Sequence, residues 1–176
     1  MTGVLVVNAG STSLKLSVVD EAGRSRTVAS LGDAPGDVVA VGHRVVHGGA
    51  SFRAPVLLDD ATLTQLRALV DLAPLHNAPA LEVIDEARRA LPALPQVAVF
   101  DTEFHATLPD EASTYAVPER WRTQWHVRRY GFHGLSVQWA SEQVRVDRLV
   151  VCHLGGGCSV SAVLGGRSVE IGRAHV

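Results

Sequence analysis

The most constraining feature of this 176-residue chain is its start, where two apolar strands flank a turn of small residues. Residues 3–8 (GVLVVN) form a continuous apolar run, and residues 14–20 (LKLSVVD) carry alternating apolar positions. The intervening AGSTS is typical of a tight turn, so the pattern predicts a β-hairpin. With a further short strand expected near residues 27–31, three antiparallel strands open the fold.

The remaining chain alternates between strand and helix patterns, which is typical of an α/β protein. Further strands are predicted at residues 38–46, 96–101 and 148–153, and a second hairpin at residues 159–164 and from 167 onward. Asp59 or Asp60 is predicted to cap a helix that Pro74 stops, Asn77 to cap the next, and residues 135–146 to form a third. Residues 102–134 are expected to be irregular. Strand, glycine/serine turn and strand recur at both ends, which hints at an internal duplication.

Composition excludes several classes of protein. Hydrophobic residues make up 47% and charged residues 19%, which predicts a folded chain, and the net charge of -2 disfavours nucleic-acid binding. The apolar runs stop far short of the roughly 18 residues that a membrane helix needs. No signal peptide is readable, so the expected location is cytoplasmic. Cys152 and Cys158 have a spacing that fits neither a zinc site nor a disulfide framework.

The first turn is a candidate phosphate site, because Lys15 is the single lysine among 16 basic residues. Small residues let backbone N–H groups and hydroxyls approach a polyphosphate, Asn8 could hold a metal or its bound water, and Lys15 could neutralise phosphate charge. An ordinary hairpin turn is about as probable from composition alone, and the lone lysine favours the phosphate site. The spacing patterns of the P-loop and the dinucleotide fingerprint are both missing.

Other candidates for chemistry lie on predicted strands, at their ends or in irregular segments. Arg44 projects opposite to His43 and could offer a bidentate fork to a carboxylate or phosphate. His43 and His47 share a strand face, and two structural histidines are more probable there than a zinc pair. Asp101, after a predicted strand, is either a base or a turn cap, and His133, between glycines, is either a donor to a developing anion or structural. His76 has the same two interpretations.

Six blocks in order resemble the acetate kinase family: NAGSTSLK at 8–15, GHRVVHGG at 42–49, PLHN at 74–77, VFDT at 99–102, YGFHG at 130–134 and CHLGGG at 152–157. The resemblance runs from residue 1 to about residue 169. It implies the superfamily of acetate and sugar kinases, heat-shock ATPases and actin. It therefore implies an α/β, ribonuclease-H-like fold with a mixed sheet of the five-stranded type, helices, and the start of a second, duplicated half.

The resemblance also implies a magnesium-dependent, reversible phosphoryl transfer between ATP and acetate that yields ADP and acetyl phosphate. Its implied catalytic residues are Asp101 as acid/base, His133 as transition-state stabiliser, and Arg44 on the acetate carboxylate or the transferring phosphoryl group. Its implied substrate-binding residues are Arg44, Val46, Leu75, His76 and Phe132. The residues implied for nucleotide phosphate are Lys15, Ser11, Ser13, His153, Leu154, Gly155, Gly156 and Gly157, and Asn8 is implied for Mg²⁺.

One departure bears on the substrate. The family usually has asparagine where this chain has Gly156, and the triple glycine is more similar to butyrate kinases, so a butyrate or propionate kinase is an alternative. A non-catalytic module of the same superfamily that binds nucleotide or a partner is another. A sugar kinase is disfavoured, because a polyhydroxy substrate calls for more Asp, Asn and Gln in the pocket.

Three domain assignments follow. Residues 1–146 are predicted to form an acyl- and phosphate-binding domain, residues 147–169 the start of a nucleotide-binding domain, and residues 170–176 a non-native tail. The tail can be back-translated into a sequence that matches a sequencing-library adapter. We therefore expect the natural protein to be longer and active, forming a homodimer as the resemblance implies, and the 176-residue chain to be inactive.

Overall fold

The computed structural model describes the backbone of residues 2–10 and 13–174, and side chains as far as residue 172. The chain forms two compact units. The N-terminal unit comprises residues 1–48 and 54–100, and the C-terminal unit comprises residues 49–53 and 101–176. The predicted division near residue 146 and the tail from residue 170 stay predictions.

A six-stranded mixed sheet forms the N-terminal unit. Its strands are β1 (Gly3–Ala9), β2 (Leu14–Asp20), β3 (Ser25–Thr27), β4 (Val38–Val45), β5 (Val56–Leu57) and β6 (Gln96–Phe100). They lie in the order β3-β2-β1-β4-β6-β5. The predicted hairpin is confirmed, since β1 and β2 pair antiparallel, whereas β4 pairs parallel to both β1 and β6. The sheet exceeds the predicted five strands because β5 adds an antiparallel edge beside β6.

The core of this unit follows the two-residue period of the strands. Leu5 and Val7 of β1 and Leu16 and Val18 of β2 are all buried, because alternate side chains point to the same face. The third strand lies earlier than the predicted residues 27–31. The chain instead forms a 3₁₀ turn at Leu31–Asp33, whose leucine is buried in the same core.

Two helices lie in the described residues of the N-terminal unit, α1 (Asp60–Arg67) and α2 (Pro74–Ala90). The predicted cap of α1 is confirmed as Asp59, whose side chain accepts a hydrogen bond from the backbone N–H of Thr62. The prediction that Asn77 caps the second helix is wrong, because Asn77 lies inside α2. Pro74 begins α2, because proline fits the first turn of a helix, where its missing N–H has no intrahelical partner.

The cap of α1 gives a first prediction. Asp59→Ala should lower the free energy of unfolding and with it the urea midpoint, because the N–H of Thr62 loses its acceptor. Asp59→Asn is the matched control and should leave stability nearly unchanged, since asparagine caps equally well. Urea titrations of the three proteins measure this, and equal midpoints for the alanine and asparagine variants would contradict it.

As far as the structure describes it, the C-terminal unit combines three helices with an antiparallel sheet. Its helices are α3 (Asp110–Ser113), α4 (Glu119–Trp125) and α5 (Gly134–Val144), and its strands are β7 (Arg148–Leu154), β8 (Cys158–Leu164) and β9 (Arg167–Ala174). β8 pairs antiparallel with both neighbours, which confirms the predicted second hairpin. Residues 102–134, predicted to be irregular, contain α3, α4 and a 3₁₀ turn at Phe104–Thr107. α5 ends at Val144, two residues before the predicted end, with Arg145 in the left-handed region.

The end of β9 overlaps the predicted tail. Residues 170–174 continue the strand and pair with β8, while residues 175 and 176 lie outside the described residues. Within the described part of the chain, no helix is both long and apolar enough to cross a membrane.

Candidate functional site

Three predicted site residues lie side by side at one end of the sheet in the N-terminal unit. In the strand register, Asn8 of β1 lies opposite Arg44 of β4 on one side and opposite Lys15 of β2 on the other. The Arg44 guanidinium Nη1 donates to the Asn8 side-chain oxygen over 3.1 Å. The parallel strands β1 and β4 put this pair near their carboxyl ends, where open α/β sheets bind ligands. Ser13 is exposed beside this turn, and Ser11 lies outside the described residues.

The two histidines of the GHRVVHGG block have separate partners. His43 Nε2 is 2.8 Å from Gln96 Oε1, an oxygen that only accepts, so Nε2 carries the proton. Burial lowers the pKa of His43, although the bond to Gln96 opposes that shift. His47 lies beyond the end of β4 at Val45, so the prediction that both histidines share one strand face is wrong. The described residues contain no cluster of three or more His, Cys, Asp or Glu side chains that could hold a metal ion.

Asn77 joins the segment after β4 to α2, a contact that sequence reasoning missed. Its buried amide accepts from the backbone N–H of His47 over 3.1 Å and donates to the His47 carbonyl over 3.0 Å. The first turn of α2 also carries Leu75, which is 79% exposed, and His76, which is half-buried. Val46, beside His47, is buried. Asn77 therefore fixes the segment that contains Val46 and His47 to the first turn of α2, which carries Leu75 and His76.

The burial of His47 predicts a pH-dependent stability. Burial lowers the pKa of His47 from 6.5 to about 4, so between these values the unfolded chain binds a proton that the folded chain does not. Stability should therefore rise with pH from 4 to 6.5, with His47 contributing about 3 kcal/mol. His47→Gln should weaken this dependence in urea titrations, and the exposed His126→Asn should leave it unchanged. Identical pH slopes for wild type and His47→Gln would contradict the assignment.

In the C-terminal unit, Asp101 lies against the start of α5. Asp101 is 2% exposed, and its backbone carbonyl accepts from the N–H of Gly134 over 2.9 Å. Gly134 has no room for a side chain, because a Cβ there would lie 2.3 Å from the Asp101 carbonyl oxygen. His133 precedes this glycine in the left-handed region, at φ 63°, as the residue before the first turn of α5. The fold thus brings together Asp101 and His133, which sequence reasoning singled out separately.

His133 also contacts the glycine-rich segment between β7 and β8. Its Nδ1 is 2.9 Å from the hydroxyl of Ser159, a buried residue of β8, and its ring stacks on His153 with the centroids 4.0 Å apart. Gly157 lies so close that a Cβ there would be 3.3 Å from His133 Nε2. Leu154, Gly155 and Gly156 are exposed beside this cluster. Ser159 is a partner that sequence reasoning missed.

His105 is a further residue that sequence reasoning missed. It lies in the 3₁₀ turn after β6, is 1% exposed, and hydrogen-bonds through both ring nitrogens to Ser168 and the Phe132 carbonyl. Burial lowers its pKa, while the Phe132 carbonyl and the charge of Asp101 raise it. The available signal was a histidine four residues after Asp101, but its spacing does not reveal the distant partners.

The sheet order defines the class of protein. Omitting the edge strand β5, the order β3-β2-β1-β4-β6, with one antiparallel meander and two parallel pairings, is that of the actin-like ATPase fold that the sequence resemblance predicted. The model of the acetokinase family matches residues 28–173, so the chain belongs to the acetokinase family. This confirms the resemblance found in the six sequence blocks.

Known relatives agree with this assignment. The chain is 54% identical over 141 residues to an acetate kinase of Deinococcus deserti, an alignment that covers 76% of this chain and 35% of that protein. The structure of a propionate kinase from Francisella tularensis matches with a TM-score of 0.89 and 32% sequence identity. The match covers 99% of this chain and 58% of the propionate kinase chain. The structure of the Porphyromonas gingivalis acetate kinase matches with a TM-score of 0.80 and 27% sequence identity, again over 99% of this chain and 58% of the other chain. The chain spans about a third of the curated relative's length.

Proposed function

We propose that this chain is the N-terminal part of a short-chain acid kinase that transfers a phosphoryl group reversibly between ATP and acetate, giving ADP and acetyl phosphate. The observation that carries the proposal is the row of Lys15, Asn8 and Arg44 at one end of the sheet. Two cations beside an amide oxygen suit a reaction whose catalysis consists mainly of positioning groups and neutralising charge around a phosphoryl group.

Each predicted residue keeps a role in this proposal. Arg44 pairs with the substrate carboxylate or the transferring phosphoryl group, because its planar fork matches either in a bidentate way. Asp101 acts as the acid/base group, and His133 donates to the developing negative charge. The groups proposed for the acyl pocket are Val46, Leu75, His76 and Phe132. The groups proposed along the nucleotide phosphates are Lys15, Ser11, Ser13, His153, Leu154, Gly155, Gly156 and Gly157.

Magnesium fits the donor set near Asn8. The Asn8 amide oxygen accepts from Arg44 and has a second lone pair for a ligand. Mg²⁺ at phosphoryl-transfer sites keeps several waters and substrate oxygens around few protein ligands. Asn8 would therefore hold the ion or one of its waters, and the ion would neutralise phosphate charge.

A longer acyl group is the second candidate, favoured by two observations. The Francisella tularensis structure, a propionate kinase, matches with the higher TM-score of the two structures compared. Gly156 is exposed and a Cβ there would meet nothing within 4 Å, so local packing does not require glycine where acetate kinases usually have asparagine. Measuring kcat/KM for acetate, propionate and butyrate would separate the candidates, because each added methylene in an apolar pocket changes the ratio about 10- to 200-fold.

A hydroxylamine trap for acyl phosphate tests the proposal. The purified 176-residue chain should show no turnover above a buffer control, because groups that position a phosphoryl transfer act as a unit and the chain covers 35% of its relative. The complete protein amplified from the genomic locus should form acetyl hydroxamate from acetate, ATP and Mg²⁺. Turnover by the chain alone would contradict its inactivity. Nucleotide binding without turnover by the complete protein would contradict the kinase and support a non-catalytic module.

The complete protein is also proposed to be a cytoplasmic homodimer. Sedimentation of that protein tests the dimer.

A further inference from the structure

His105 connects three separate segments of the C-terminal unit. It sits in the 3₁₀ turn Phe104–Thr107, its Nδ1 lies 2.7 Å from the hydroxyl of Ser168 on β9, and its Nε2 lies 3.1 Å from the carbonyl of Phe132. Thr107, in the same turn, donates to the Ser168 carbonyl over 3.1 Å. The turn is therefore held to β9 by two hydrogen bonds to Ser168. In addition, His105 bonds to Phe132, the residue before His133.

The partners of His105 determine where its proton lies. A carbonyl oxygen can only accept, so the hydrogen bond to Phe132 requires a proton on Nε2. Burial lowers the pKa of His105, so the ring is neutral near pH 7 and Nδ1 carries a lone pair. The Ser168 hydroxyl then donates to Nδ1, and both residues are fully buried. Each ring nitrogen thus has one partner that fits a single tautomer.

The His105 ring also shapes the backbone before His133. Gly131 has φ +79°, a conformation that side chains rarely adopt, and a Cβ there would lie 2.7 Å from the His105 ring. The ring therefore packs directly against Gly131 and bonds to the next residue, Phe132. These two contacts restrict the backbone conformation just before His133. The ring of His133 is itself held by the hydrogen bond between its Nδ1 and the Ser159 hydroxyl.

We propose that His105, oriented by Ser168, is a positioning residue that fixes the orientation of the Phe132–His133 peptide. It thereby orients the side chain of Phe132 in the wall of the acyl pocket and the side chain of His133, the anion donor of the kinase. This inference rests on the proposed function for its catalytic consequence. Its structural part, a neutral Nε2–H histidine that holds residues 131–133, does not depend on that function. His105 acts through the backbone and touches no reacting group in this proposal.

Long-range ¹H–¹⁵N spectra of the 176-residue chain at pH 7 test the tautomer. His105 should show a protonated Nε2 and an unprotonated Nδ1. Ser168→Ala should shift the His105 ring signals toward a mixture of tautomers, because Nδ1 loses its donor. Ser161→Ala is the matched control, since Ser161 is equally buried on β8 and its hydroxyl has no partner among the described residues. An Nδ1–H tautomer in the wild-type chain would overturn the proposal.

Two substitutions of His105 separate positioning from simple packing. His105→Gln keeps an amide donor where Nε2 lies, whereas His105→Asn places its amide near Nδ1 and leaves the Phe132 carbonyl without a donor. The backbone amide and ring signals of His133 should stay close to wild type in the glutamine variant and shift in the asparagine variant. If both variants fold and shift these signals equally, the proposal is wrong.

The same two variants, His105→Gln and His105→Asn, test in the complete kinase whether this positioning affects catalysis. His105→Asn should lower kcat by about 100-fold, as expected for a misplaced donor, with the KM for ATP nearly unchanged. His105→Gln should recover most of that loss. Absence of acyl phosphate formation by the wild-type complete protein would refute the proposed function. The NMR spectra would still test whether His105 is the Nε2–H tautomer that holds residues 131–133. An active wild type with equally impaired glutamine and asparagine variants would refute positioning alone.

Discussion

Asp101→Ala is expected to lower kcat of the complete kinase by about 10²–10⁴-fold, the range that a positioned acid/base group contributes. Asp101 is 2% exposed and follows directly after β6, so water cannot readily replace its carboxyl group. Its backbone also receives the hydrogen bond from Gly134 that begins α5. The variant keeps this backbone carbonyl, so the loss should appear in the chemical step and leave the start of the helix in place.

The control for Asp101 is Asp110→Ala, which removes an exposed carboxylate from the first turn of α3. It should retain wild-type kcat in the hydroxamate assay. Circular dichroism of both variants in the 176-residue chain checks that each still folds. Wild-type turnover by a folded Asp101→Ala enzyme would remove the acid/base assignment.

Gly134→Ala is expected to destabilise the C-terminal unit by about 3 kcal/mol, the upper part of the range for overpacking a buried position. The added Cβ would lie 2.3 Å from the Asp101 carbonyl oxygen and 3.1 Å from the Phe104 Cβ. The first of these is a backbone atom already engaged in the hydrogen bond from Gly134, so it cannot move aside without breaking that bond. The start of α5, and His133 with it, must therefore shift.

Gly156→Ala is the control for stability, because a Cβ at this exposed position meets nothing within 4 Å. Thermal unfolding of the two variants should separate them clearly, and amide exchange should quicken in α5 of the Gly134→Ala variant alone. Equal unfolding temperatures for both variants would show that the close approach of Asp101 to Gly134 does not hold in solution.

Local patterns in the sequence determined much of the secondary structure. The apolar alternation in residues 3–8 and 14–20 predicted β1 and β2, because side chains in a strand alternate between faces whatever the rest of the fold does. The cap at Asp59 followed from the same local physics, since its acceptor lies three residues away. Pro74 was misinterpreted as a stop, because one proline suits both the end of one helix and the first turn of the next.

Tertiary structure decided which of these residues have partners. Asn77 pairs with the backbone of His47, 30 residues away, and His105 pairs with Ser168, 63 residues away. Neither pair has a sequence signal, because a hydrogen bond between distant residues depends on the packing of the elements that carry them. The family motifs singled out Arg44, Asp101 and His133 from sequence alone. The tertiary structure supplied Asn8 beside Arg44, Gly134 against Asp101, and Ser159 on the His133 ring, because register and close packing bring those atoms within bonding distance.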